Sequence, residues 1–206
     1  MSTAHTPRIL AIHTAHHTPN DNIWTPLPIA KLMIEMCGIQ ENEKVLDPSY
    51  GAGAFYNQFP KCVADYNEIN EDRDFFKNEN VYDVIIGNPP YSKWTKWIEH
   101  TLKICKNRFC YIFGAQSLTP NRIKMIHEAG FGITKMHLVK VAWYMSQSYI
   151  ILCEKGKSSI ITVTPGTFPC EFCNTMCGRG IHGNPPNECN YEKKMEARKQ
   201  KLKKPL

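Results

Sequence analysis

The stretch Val81-Tyr82-Asp83-Val84-Ile85-Ile86-Gly87, running straight into Asn88-Pro89-Pro90-Tyr91, decides how this chain folds. The apolar run has strand length, and it does not alternate with polar residues as a half-exposed strand would. A strand apolar on both faces belongs inside a parallel sheet covered by helices on each side. Working outward, Lys44-Val45-Leu46-Asp47 reads as a second buried strand, entering a glycine-bearing turn over Pro48 to Phe55 and then a helix. Pro26 to Met36 has helical spacing behind a proline suited to a helix start. Further strands are expected at Cys62–Tyr66, Arg108–Phe113, Ile133–Val139 and Ser148–Glu154, with helices at Trp94–Lys106 and Asn121–Glu128. Ser158–Val163 is a candidate for one more strand.

Strands alternating with helices give an α/β fold with a mostly parallel sheet and helices on both faces. The last two strands of the body are too close for an intervening helix, so they are expected as an antiparallel hairpin at the sheet edge.

The chain of 206 residues has room for one such domain and a small appendage. Its boundaries are expected as a disordered leader over 1–21, a body over 22–164, and a cysteine-rich segment with a basic tail over 165–206. No apolar run reaches the roughly 18 residues that a membrane helix needs. The leader, rich in His, Thr and Pro, has no apolar core of a secretory signal, so an intracellular setting (cytoplasmic or nuclear) is expected.

Net charge is +6, and the tail from Tyr191 to Leu206 accounts for most of it, with seven Lys/Arg against Glu192 and Glu196. This implies a polyanionic partner for the tail and not for the body. Cys37, Cys62, Cys105, Cys110 and Cys153 lie scattered in apolar stretches and read as buried thiols. Cys170, Cys173, Cys177 and Cys189 crowd together with His182, which is the spacing of a structural zinc site. Cys170, Cys173, His182 and Cys189 form two short chelating arms, with Cys177 in place of His182 as the alternative. A segment so short cannot bury a core, and metal would supply its folding energy.

Two segments carry chemistry. Asp47-Pro48-Ser49-Tyr50-Gly51-Ala52-Gly53-Ala54-Phe55 follows a strand, where ligands of open α/β sheets bind. Gly51 and Gly53 let the backbone approach such a ligand closely. Asn88-Pro89-Pro90-Tyr91 also leaves a strand. An Asn side-chain oxygen and a backbone carbonyl can together accept both hydrogens of an amino group. They thereby localise a lone pair otherwise delocalised into a ring. The prolines stiffen the loop and remove their own donors, and Tyr91 offers a ring face for an extruded base.

With these residues assembled, the chain resembles the S-adenosylmethionine-dependent amino-group DNA methyltransferases of the adenine-modifying type, including compact viral and phage-like members. The resemblance spans roughly Asn22 to Lys155. It implies a Rossmann-like methyltransferase fold, with S-adenosylmethionine held by Asp47, Pro48, Gly51, Gly53 and Phe55. Asn88, Pro89, Pro90 and Tyr91 would be the catalytic residues. Tyr66-Asn67-Glu68-Ile69 is similar to the motif whose acid takes the donor's ribose, with Glu68 favoured over Asp65. Asp74-Phe75-Phe76 is similar to the adenine-contacting motif, and Ile23-Trp24-Thr25-Pro26 to the segment closing over the methionine end. Lys140-Val141-Ala142-Trp143-Tyr144, followed by Ser148-Tyr149-Ile150-Ile151, resembles the late hairpin motif beside the target base.

The implied substrate is the N6 amino group of adenine in DNA, with RNA possible. The same tetrad occurs in ribosomal-RNA adenine enzymes and in release-factor glutamine methyltransferases. A silent partner of an active methyltransferase is the reading from another class. The chain departs from the family in the short Glu68–Asp74 segment and in lacking a sizeable recognition region. Sequence recognition is then expected from a short loop, the tail or a partner chain, or to be low; a homodimer or a partner methyltransferase or recognition subunit is the expected assembly.

Overall fold

The computed structural model describes residues 24–141 and 147–163. The chain divides after Val163, and all described residues belong to the first unit. Its strands are β1 (Lys44–Asp47), β2 (Val63–Tyr66), β3 (Tyr82–Gly87), β4 (Cys105–Gly114), β5 (Phe131–Val139) and β6 (Ser148–Lys155). They form one sheet in the order β2-β1-β3-β4-β6-β5. Only β6 runs against the others, inserted between β4 and the edge strand β5. The expected hairpin therefore exists, with its reversed strand second from the edge.

Alternate residues of the buried strands feed two separate cores. Val45, Val84, Ile86, Ile112, Ile150 and Leu152 meet α1 (Leu27–Cys37) through its stripe Ala30, Met33, Ile34 and Cys37. On the opposite face, Ile85, Phe109, Phe113 and Ile151 meet α2 (Trp94–Ile104) and α3 (Pro120–Glu128). The α2 stripe Trp94, Trp97, Ile98, Thr101 and Ile104 has helical spacing. Trp94 stacks on Phe113 with ring centroids 3.8 Å apart, so both helix tryptophans are core residues.

Arg108 on β4 closes the amino end of the sheet over the end of α1. Its guanidinium donates to the carbonyls of Cys37 (2.7 Å) and Gly38 (3.1 Å), and pairs with Glu43 at 2.6 Å. Both side chains are largely buried, at 13% and 16% exposure.

Two expected elements differ. The helix after Phe55 is only a 3-10 turn, Tyr56–Gln58, because Pro60 drives Phe59 into extended backbone (ψ 139°) and cannot donate. Ser158–Val163 makes no strand. The segment reaches β5 through one bond, from the Ile160 N–H to the Ile133 carbonyl at 2.8 Å.

Candidate active site

The carboxyl ends of β1, β2 and β3 meet at one corner, and each supplies one part of the site. Beyond β1 the chain turns at Gly51 and Gly53, with φ of 54° and 76°. A side chain at Gly53 would collide with Tyr50 and Asn57, the nearest Tyr50 atom being its hydroxyl at 2.8 Å. At Gly51 the space is open, with Trp24 Cδ1 at 4.0 Å. Trp24, 73% exposed, thus stands at the mouth of the glycine loop. Thr25 is half-buried, and Pro26 caps α1, its carbonyl accepting from the Ile29 and Ala30 N–H groups. Pro48 and Phe55 are buried beneath the loop.

Asp47 ends β1 fully buried, and burial pushes its carboxyl up to about 7. Its Oδ1 accepts from the Ser49 N–H at 3.2 Å, whereas Oδ2 has no partner among the described residues. Beyond β2, the Glu68 carboxylate accepts from the Gly51 N–H at 2.9 Å and from Asn70. Asp65 is already committed, to Arg73 and to the Tyr82 hydroxyl, both at 2.5 Å. Of the two acids, Glu68 is the one standing at the glycine loop.

Beyond β3, Asn88 is half-buried, and its side-chain oxygen is enclosed with no hydrogen-bond partner among the described residues. Its backbone carbonyl accepts from the Ser49 hydroxyl at 3.2 Å. Pro89 is buried, Pro90 precedes the 3-10 turn Tyr91–Lys93, and the Tyr91 ring packs 6.2 Å from Trp94.

The expected donor residues separate into two groups. Trp24, Gly51, Gly53 and Glu68 come together at one loop. Phe75 does not offer its ring to a ligand: it is 3% exposed and stacked on Trp97 at 4.3 Å. Its apolar ring finds more to bury in the α2 core than at a wet rim. Asp74, beside it, uses Oδ1 to accept from the Phe76 N–H at 3.0 Å. Ser49 and a trio of tyrosines carry no signal in the sequence pattern. Tyr50, Tyr56 and Tyr66 pack at 4.5–5.7 Å around the glycine loop, joined only by the fold. Ile69, 65% exposed, leaves apolar surface next to Glu68.

The leader, the segment Ala142–Ser146 with Trp143 and Tyr144, and the whole cysteine-rich tail lie outside the described residues. Among the described residues no cluster of His, Cys, Asp or Glu could hold a metal, and no helix is long and apolar enough to cross a membrane.

The sequence matches no family model and no curated protein. The structure is similar to magnesium protoporphyrin IX methyltransferase from Synechocystis PCC 6803 with bound SAM, at TM-score 0.52 and 14% identity, covering 63% of this chain and 79% of that one. It is also similar to precorrin-6y C5,15-methyltransferase from Geobacter metallireducens GS-15, at TM-score 0.50 and 14% identity, over 64% and 90% of the two chains. The fold is thus the Rossmann-like fold of S-adenosylmethionine-dependent methyltransferases.

Proposed function

We propose that this chain transfers a methyl group from S-adenosylmethionine to the N6 amino group of adenine in DNA. The observation that carries the reading is the enclosed Asn88 side-chain oxygen, without a partner among the described residues and held at the glycine loop through Ser49. A buried acceptor without a donor costs free energy in the resting protein, and an amino group entering the site would offset that cost.

The residues at the corner fit the donor. Gly51 leaves exposed backbone facing a ligand, the Glu68 carboxylate stands at the same loop, and Ile69 gives a flat ring an apolar surface. When bound, S-adenosylmethionine supplies an electrophilic methyl on a sulfonium centre. Asn88 Oδ1 and the Pro89 carbonyl accept from the target NH₂ and localise its lone pair. Tyr91 offers the stacking face for the extruded base. With the donor bound, the nitrogen lone pair would bond the methyl carbon as the methyl–sulfur bond breaks, the electron pair staying on sulfur in the departing thioether, and the surplus proton would pass to solvent. Catalysis is positioning and hydrogen bonding, without a covalent intermediate on the protein.

The thiolate and imidazole set Cys170, Cys173, His182 and Cys189, with Cys177 as alternative, suits one tetrahedral structural zinc. We assign it the role of a phosphate-gripping module together with the basic tail.

An acceptor oxygen at Asn88 would equally receive the amide NH₂ of a glutamine. The deciding experiment offers labelled donor to duplex DNA, single-stranded DNA, structured RNA and a glutamine-bearing peptide, with Asn88→Ala alongside. Methyladenine in DNA, lost in the variant, is expected. Label appearing only in RNA or only in the peptide would overturn the DNA assignment.

A further inference from the structure

The body's near-neutral charge conceals a division. From Trp24 to Ser92 it carries eleven Asp/Glu against five Lys/Arg; from Lys93 to Val163, three against eleven. The division falls in space as well as in sequence, because the first stretch builds β1, β2 and β3 and the second builds β4, β5 and β6.

At the carboxyl end of the sheet the contrast is sharpest. On the β1–β2 side stand Asp47, Glu68, Glu71, Asp72 and Asp74, as a cationic donor would favour. On the other side, the segments leaving β3, β4 and β5 (88–98, 115–124 and 140–141) contain no acid at all. They carry Lys93, Lys96, Arg122, Lys124 and Lys140. Lys93, Lys96, Lys124 and Lys140 are exposed. Lys124 lies 3.5 Å from Glu128 one helical turn on, which leaves the other three lysines as the core of the rim. The Arg122 guanidinium donates to Thr95 Oγ1 at 3.2 Å, which places it beside the first turn of α2 and next to Lys96. Two basic groups elsewhere are occupied structurally: Arg108 by Glu43, and Lys135 by the Met36 carbonyl at 3.1 Å. Asn88 lies on the line between the acidic and basic sides.

We propose that this acid-free rim is the track for the phosphodiester backbone of the DNA substrate, delivering the target base to Asn88 from the β4 side. The inference rests on the proposed function. It extends the expected polyanion contact from the tail to the body: the acidic side repels the backbone from the donor corner, and the rim attracts it.

The test uses the full chain and a fluorescent duplex, with binding measured across a salt series. In the triple variant Lys93→Gln, Lys96→Gln, Lys140→Gln, the slope of log K on log[salt] should fall by about 0.9 for each phosphate that is no longer neutralised. Affinity for S-adenosylmethionine should stay unchanged, which also certifies the fold. Lys103→Gln with Lys106→Gln, at the opposite end of the sheet, should leave both measurements as in the parent. An unchanged slope in the triple variant, or an equal loss in the control pair, overturns the track. A parent chain that grips single-stranded RNA through this rim but not the duplex overturns the DNA assignment of the track. Rim-dependent DNA binding without methyl transfer would support the track while overturning the catalytic reading.

Discussion

The Ser49 hydroxyl donates to the Asn88 backbone carbonyl across 3.2 Å, a bond between residues 39 apart in sequence. It ties the turn after β1 to the turn after β3, so the glycine loop and the Asn-Pro-Pro-Tyr loop share one register. Gly87 tightens the same seam, since a side chain there would meet Pro48 Cδ at 3.0 Å. Two loops that, on the proposed function, present donor and acceptor in line are thereby held by one hydroxyl and one missing side chain. Ser49→Ala should cost about 1 kcal/mol of stability. It should also lower kcat more than it raises the donor's Kd, because misplaced reacting groups lose rate before affinity. Equal effects on both would mean that the bond only supports the fold.

Asn88→Ala separates function from stability. Deleting a buried acceptor that has no partner among the described residues removes an uncompensated desolvation cost, so the melting temperature should hold or rise. Loss of one preorganised hydrogen-bonding group typically lowers kcat by about 100-fold or more. A variant that melts early and transfers normally would sink the assigned role.

Gly53 and Gly51 predict a graded pair. Gly53→Ala forces a non-glycine residue to φ 76° and into the Tyr50 hydroxyl at 2.8 Å. The conformation alone costs about 1–2 kcal/mol, and Tyr50 must also leave the tyrosine trio. Gly51→Ala meets nothing nearer than 3.9 Å and should show only the conformational part. Denaturant titrations of the two proteins give the comparison, with Gly53→Ala the less stable.

Asp47 sets a pH dependence. Its folded pKa is raised, from 3.8 to about 7, by burial. Between those values the folded state binds more protons than the unfolded state, so stability falls as pH rises from about 4 to about 7. The carboxylate's cost is complete above that window, and the rise corresponds to about 4 kcal/mol. Asp47→Asn should flatten this part of the profile and be more stable than the parent at pH 8. Urea unfolding at pH 5 and pH 8 would show it, and a profile identical to the parent's would exclude Asp47 as its source.

What the sequence made legible was what depends on local pattern. Continuous apolar strands, the helical stripes of α1 and α2, and the two strand-end loops follow from spacing within a few residues. Ser49, the tyrosine trio and the commitment of Asp65 depend on strand order, which brings together residues with no periodic relation. The burial of the Phe75 ring against Trp97 likewise depends on how α2 packs and carries no signal in the local pattern beside the half-buried Asp74. Net charge by itself sums the acidic first half and the basic second half of the body, which the strand order sets on different sides of the sheet.

The tail offers a last prediction that is independent of the body. Thiolate ligands must be deprotonated to bind zinc, and binding free energy is then folding free energy for so short a segment. Elemental analysis should find one zinc per chain, and Cys170→Ser with Cys173→Ser should lose it. His182→Ala and Cys177→Ala, compared side by side, identify the fourth ligand by which of them releases metal. Because the donor corner belongs to the body, removing zinc with a chelator should leave S-adenosylmethionine affinity unchanged. DNA affinity should fall and its salt dependence weaken as the basic tail loses its anchor. Metal-free protein that binds DNA as tightly as the parent would detach the tail from substrate binding and leave the rim alone to hold the phosphates.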